Sequence, residues 1–265
     1  MVNKIMFLGT AGDVTSVAKG LRKSGGILIQ SGQVQLHLDP GPGALSEMIA
    51  QKLNPRDTNI ILVSHNHLNH CAGLSEIISA MTLGGLDKKG ILIAHSSVKD
   101  RITSYERELL EKTHWMEEGK ELNVLGVHIK ALPVKNHDGV GFRIRTAHFL
   151  LAATGDTEYG SKLSSEYKDA NILIVSCPLP PLQKEKGRMN LDDAMKLIHE
   201  AKPDLAIITH FSHTFLSKTH DHIDMARTVQ KATGVQTIFA KDGLSIDPLN
   251  YSAQLKQKSL GGFLK

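Results

Sequence analysis

The segment Val63–Leu74, VSHNHLNHCAGL, crowds His65, His67 and His70 together directly after the apolar run IILV. Imidazoles at i and i+2 on an extended or tightly looped segment can turn toward one point. A third, three residues on where a helix begins, reaches a neighbouring point. Side chains so placed suit one metal ion or a pair of them. Four more signals each follow an apolar run: Asp39 in LDPGPG, His137 in PVKNHDGVGFRI, Asp156 in TGDTEY and His210 in THFSH. Rigid strands aim the loops at their C-terminal ends toward one place, so groups from distant parts of a chain can converge there. His37, His95, His114, His128, His148 and His199 stand singly and read as structural.

Short β-branched runs alternate with amphipathic ones. Strands are predicted at Lys4–Leu8, Gly26–Gln30, Val34–Leu38, Ile60–Ser64, Ile91–Ala94, Val127–Leu132, Val140–Thr146, His148–Ala153, Ile172–Ser176, Leu205–Thr209 and Gln236–Phe239. Gly32 and Ala147 sit where tight hairpins join neighbouring strands. Helices are predicted at Ala44–Lys52, Ala72–Thr82, Val98–Lys112, Leu191–Ala201 and Ile223–Thr233, the fourth opened by Asn190 and two aspartates. Hairpins mixed with strand–helix units favour mixed sheets covered by helices. With 265 residues, 41% of them hydrophobic, the chain reads as one large soluble domain over 1–250 and a loose tail over 251–265. Neither a secretory signal nor a membrane span is read, and Cys71 and Cys177 form no C-x-x-C pair, which points to a cytoplasmic protein with reduced thiols. The net charge of +4 suits an anionic substrate and is too mild for a dedicated nucleic-acid binder. Whether the chain forms a homodimer is not legible.

SHNHLNHCAGL resembles the H-x-H-x-D-H signature of the metallo-β-lactamase-fold hydrolases. His137, then TGDT, then THFS resemble that superfamily's later motifs in order. The similarity runs from FLGTAG to about Phe239 and is nearest the branch of tRNase Z and related phosphodiesterases. It implies an α/β fold, the αββα four-layer sandwich of the metallo-β-lactamase type, with a two-metal site along one edge. Position by position, it implies that His65, His67 and His137 hold one ion, that His70 and His210 hold the second, and that Asp156 bridges them. The implied cofactor is zinc, one to two ions per chain, with manganese or iron as alternatives. Asp39 resembles the family carboxylate that orients a ligating imidazole.

Two positions depart from the family. Asn69 stands where the signature has aspartate. An amide is isosteric but neutral, a poor ligand and no base, so the second ion keeps three protein ligands and the site gains positive character. Arg188, in GRMN, stands where relatives near tRNase Z carry a histidine. It can stabilise phosphoryl oxygens but donates no proton at neutral pH. No Gly-rich arm like that of tRNase Z is present. His213, with His220 and His222 downstream, offers a replacement proton donor, and GTAGD could seat a phosphate on backbone N–H groups. Lys99–Glu118 reads as a solvated helix, with Trp115 after it as a packing residue. The leading expectation is hydrolysis of a phosphodiester, of nucleotide or RNA type, by metal-activated water. Hydrolysis of a carboxylic ester, lactone or thioester is the alternative. A non-catalytic descendant binding nucleic acid or a partner protein is the third class.

Overall fold

The β-branched runs assemble into two seven-stranded mixed sheets in the computed structural model, which describes residues 2–218 and 222–251. The first sheet takes β1 (Val2–Phe7), β2 (Ile27–Gly32), β3 (Val34–Leu38), β4 (Thr58–Val63), β5 (Ile91–His95) and β6 (Lys112–Met116). The second takes β7 (Glu121–Val124), β8 (Val127–Leu132), β9 (Gly141–Arg145), β10 (Leu150–Ala153), β11 (Ile172–Ser176), β12 (Leu205–Thr209) and β13 (Thr237–Phe239). The chain then returns, and β14 (Ser245–Ile246) pairs with β1 at the edge of the first sheet. Each sheet is antiparallel on one side and parallel on the other: β3 to β6 run parallel, as do β10 to β13.

Strand alternation decides which residues fill which layer. Ile60 and Leu62 of β4 point between the sheets, with Ile5, Phe7, Ile29 and Ile93, against Ile129, Phe142, Ile144, Ile174 and Ile207. Their neighbours Ile61 and Val63 point the other way. The short α1 (Val14–Ala18) lies ahead of β2, and α2 (Ala44–Ala50), α3 (Leu68–Cys71), α4 (Leu74–Met81) and α5 (Ser104–Leu109) follow. Met48, Ile77, Ile78, Met81 and Leu109 from α2, α4 and α5 cover Ile61, Val63 and Leu92. On the second sheet, α6 (Ser161–Ser164), α7 (Leu191–Ala201), α8 (His213–Lys218) and α9 (His222–Thr233) bury Leu163, Leu197, Ile198, Phe215 and Val229 against Leu173, Val175 and Ile208. The result is the expected four-layer αββα sandwich. Because both faces of the central strands are covered, β4, β5, β11 and β12 are continuous apolar runs.

The expected hairpins are present. Thr146 Oγ1 accepts from the backbone N–H groups of His148 and Phe149, which turns β9 into β10. Asn190 caps α7 by accepting from Asp193 N. The helix predicted over Val98–Lys112 is a correction: the segment is a 3-10 turn (Ser96–Arg101), then α5, then the start of β6. Thr103 and Glu106 form a reciprocal capping box that begins a new helix. The solvated helix read over Lys99–Glu118 falls with it. The edge strand β6 buries only Met116 and shows no clean alternation. Trp115 does pack partly against the helix-side core, with Lys99 Nζ 5.7 Å above its ring. The helix predicted over Ala72–Thr82 is broken at Gly73 into α3 and α4, and it starts earlier than expected, at Leu68. The stretch 252–265, assigned to the tail, and His220 lie outside the described residues.

Two isolated bridges join the sheets where their strand ends meet. Ala11 pairs with Phe211, and His65 pairs with Gly139. A Cβ on Gly12 would lie 2.0 Å from the carbonyl oxygen of His210, so only glycine lets these two loops close. Behind them, His37 is fully buried and donates from Nε2 to the carbonyl of Gly25 at 2.8 Å, while its Nδ1 has no partner. Burial pushes the His37 imidazole down to about 4 from 6.5, against smaller opposing effects of Gly25 and Asp39. A histidine whose folded pKa is depressed contributes stability that is present above 6.5 and lost as pH falls toward 4. His37→Gln keeps a donor for Gly25 but cannot titrate. Denaturant unfolding across that window should therefore show a shallower acid loss in the variant, by up to about 1.4 kcal/mol per pH unit. Identical pH profiles for the two proteins would refute the assignment.

Candidate metal centre

Each histidine and carboxylate singled out after a strand arrives at the same edge of the sandwich. His65 and His67 leave the end of β4, and His70 sits on α3. His137 lies before β9, Asp156 follows β10 and His210 follows β12. The ring centroids of His65 and His137 are 4.3 Å apart, those of His65 and His70 4.0 Å, and those of His70 and His210 4.5 Å. His65, His67, His137 and Asp156 form one group whose ligand atoms lie within 4.8 Å of one another, and His70, Asp156 and His210 form a second. Asp156 belongs to both. These are the two groupings that the motif order implies.

The donor set fits a metal. His65 Nε2, His137 Nδ1 and both Asp156 oxygens are buried without a hydrogen-bond partner, a costly state unless a cation satisfies them. Asp156 Oδ1 is 3.3 Å from His210 Nε2 and 3.8 Å from His70 Nε2, and Oδ2 is 3.8 Å from His65 Nε2. Burial alone would raise the Asp156 carboxyl, but His210 and His70 hold it well below the usual carboxylate range. Burial, reinforced by His70, keeps the His65 imidazole well below its ordinary value, and burial lowers His67 and His137. All three therefore present neutral lone pairs, the form a metal requires.

His70 is held from behind. Asp39 Oδ2 lies 2.8 Å from His70 Nδ1, and Asp39 also accepts from Ser64 N at 2.7 Å and Ser64 Oγ at 2.8 Å. A carboxylate on Nδ1 directs Nε2 inward. Burial works against charge on His70, yet Asp39 and Asp156 outweigh it and lift its pKa to about 10.

Asn69 faces the centre. Its amide nitrogen lies 3.0 Å from His210 Nε2 and donates to the Gly12 carbonyl at 3.2 Å. Arg188 lines a groove of about 330 Å³ with His67, Leu68, Asn69, Gly12 and Asp13, and pairs with Glu185 at 3.1 Å. His213 opens α8, its Nδ1 2.8 Å from Asp13 Oδ2, and Asp13 lines the groove. His222 is outside the site, ringed by Phe211, Phe215 and Phe239. Three of the five N–H groups of GTAGD are used within the protein: Thr10 on Asp242, Ala11 on Lys23 and Gly12 on Phe211. Through Gly12 that loop holds the chain just after β12.

Three side chains at the site were given no role by the sequence. Asp13, Asn66 and Arg101 all line the groove, and Arg101 Nε donates to Asn66 Oδ1 at 2.5 Å. The Asn66–Arg101 and Asp13–His213 contacts span 35 and 200 residues of the chain.

Known proteins agree with this architecture. The family model described as Beta-lactamase superfamily domain matches residues 35–211. An uncharacterized protein of Methanocaldococcus jannaschii is 29% identical over 265 residues, spanning 95% of this chain and 98% of that one. The ribonuclease Z of Archaeoglobus fulgidus is 36% identical over 83 residues, which is 31% of this chain and 26% of the relative. Among solved structures, the metallo-β-lactamase fold protein YhfI of Bacillus subtilis has a TM-score of 0.76 at 20% identity, covering 92% of this chain and 98% of its own. The family model spans well over half of the sequence, so the chain belongs to the beta-lactamase superfamily, and its fold is that of the metallo-β-lactamases.

Proposed function

We propose that the protein hydrolyses phosphodiesters of nucleotide or RNA type, with zinc in the centre. The observation that carries this reading is the charge balance. The neutral Asn69 stands at the position that faces His210, and Arg188 lines the groove over His67 and Asn69. A centre one negative charge short of the family pattern, with a guanidinium beside it, favours an anionic substrate. The sequence match to a ribonuclease Z supports the same class. A cytoplasmic location goes with it: Cys71 and Cys177 are buried free thiols, and no helix among the described residues is long and apolar enough to cross a membrane.

His65, His67 and His137 would hold one ion and His70 and His210 the other, with Asp156 between them. Zinc is favoured over manganese because imidazoles dominate the donor set. When bound, the ions supply Lewis-acid polarisation of the phosphoryl oxygen and lower the pKa of water. Asp39 fixes the His70 ring so that its Nε2 faces inward. Arg188 binds a non-bridging phosphoryl oxygen, as a planar donor fork suits. His213, its Nδ1 held by Asp13, gives its proton from Nε2 to the leaving alkoxide, a role that Arg188 cannot fill.

Purified protein should carry one to two zinc ions per chain by elemental analysis. It should hydrolyse bis(p-nitrophenyl) phosphate and lose that activity to chelator. His65→Ala or His67→Ala should lose metal and lower the rate on the order of a thousandfold. Turnover of a lactone but not of the diester would overturn the substrate class, and a chain that takes up no zinc would overturn the hydrolase reading.

A carboxylate at residue 69 would confront the Gly12 carbonyl that the amide now binds. Asn69→Asp should therefore destabilise the metal-free protein by about 1–3 kcal/mol and yet bind the second ion more tightly. Thermal unfolding with and without zinc reads both effects, which have opposite signs. A shift in the same direction in both states would contradict this placement.

His213→Ala should slow cleavage of a nucleoside ester, whose alkoxide needs a proton, by about a hundredfold. The p-nitrophenolate leaving group needs none, so its rate should change little. Equal losses on both substrates would rule out His213 as the acid.

A further inference from the structure

Arg101 is the cation of the groove that the proposed chemistry leaves unused. It ends the 3-10 turn after β5, a turn fixed by buried Val98 and by the His95 side chain accepting from Ser97 N. Its Nε donates to Asn66 Oδ1, and Asn66 sits between His65 and His67 on the loop that carries the centre. The guanidinium is thus tethered to the metal loop itself. Arg56, Arg188 and Arg227 all have a carboxylate within 3.1 Å or less. Among the described residues no carboxylate forms such a pair with Arg101.

An exposed arginine is ordinarily solvated, or it lies along its own helix and pairs three or four residues away. Arg101 is exposed, yet its Nε is tied to another loop. Its Nε is committed to Asn66, which orients the fork and leaves both terminal nitrogens for a ligand. A fork already held in place loses less rotamer freedom on binding, and it matches a phosphate by two parallel hydrogen bonds. Arg101 comes from the first sheet and Arg188 from the loop before α7 on the second. Both line the one groove of about 330 Å³ that also exposes His67 and Asn69. That volume suits a small ligand of nucleotide size.

Resting on the phosphodiesterase reading above, we propose that Arg101 is a specificity-determining residue that receives a second phosphoryl group. The substrate class is then a phosphodiester with a further phosphate beside the scissile one, such as a 5′-phosphorylated dinucleotide or a longer oligonucleotide, and not an isolated diester. Arg188 takes the scissile phosphate and Arg101 its neighbour, with Asn66 as the positioning residue for Arg101.

The test compares zinc-loaded protein on dithymidylate with and without a 5′-phosphate. The phosphorylated form should have the higher kcat/KM by about tenfold, the effect of one charge-assisted hydrogen-bonded contact. Arg101→Ala should abolish that preference through KM while changing the rate on the unphosphorylated form less than about twofold. Arg101→Lys should restore part of it. A preference that survives Arg101→Ala, or an equal fall on both substrates, overturns the proposal. Calorimetric binding decides the matter independently of turnover. Thymidine 3′,5′-bisphosphate should bind wild type about tenfold tighter than thymidine 5′-phosphate, and Arg101→Ala should bind the two alike. If wild type does not distinguish them, the second phosphate site does not exist, even if the diester is hydrolysed. If it does distinguish them while no diester is turned over, the site stands and the hydrolase reading fails.

Discussion

A carboxylate buried among imidazoles governs this end of the molecule. Asp156 is 2% exposed, and both of its oxygens lack a hydrogen-bond partner. Removing an ionised carboxylate from water costs several kcal/mol unless compensating charge is close. Here His70 and His210 stand within 3.8 Å and hold it ionised. The rest of the edge is arranged to keep those imidazoles there. Asp39 and Ser64 fix His70 from behind, Gly12 lets the His210 loop close, and the two isolated bridges join the sheets at this edge.

The same arrangement links the sandwich to its chemistry. Parallel strands β4, β5, β11 and β12 are buried on both faces and so make a rigid frame. Ligands at strand ends inherit that rigidity. The loops between them carry groups with fewer constraints, such as Asp13, Arg101 and Arg188, and these face the groove. A fold of this kind fixes the centre and leaves substrate choice to the loops.

Much of this was legible because the ligands sit where periodicity ends. Apolar runs such as Ile172–Ser176 and Leu205–Thr209 coincide with β11 and β12, and the residues just beyond the runs are the ones that converge. The parts that were not legible have a common physical cause. β6 is an edge strand of half-exposed residues without clean alternation, and β7, though it alternates, is only four residues long. Around Lys99–Glu118, dense charge suggested a solvated helix, which hid the turn that delivers Arg101. Asp13 and His213 lie 200 residues apart in sequence, and nothing local in either segment announces the pair. The acid role read into His213 looked only at the downstream segment. The structure shows that its orientation is set by the N-terminal loop.

Asn69 is where these strands of argument meet. A carboxylate at this position faces an oxygen, the Gly12 carbonyl, and would depend on a bound cation to hold it in place. The amide instead donates to that carbonyl, tying the start of α3 to the loop after β1, and contacts His210 Nε2 from the second sheet. The bond to Gly12 contributes about 1 kcal/mol and does not vary with metal supply, whereas His210 Nε2 is the atom a second ion would take. The joining of α3 to the Gly12 loop therefore depends less on the second ion than it would with aspartate. The missing negative charge leaves a field that Arg188 and Arg101 extend along the groove. One substitution in the signature thus changes both how the edge is held together and what charge it favours. The second effect follows from the first, because the group that ties Gly12 without an ion must be a donor and so cannot be an ionised carboxylate.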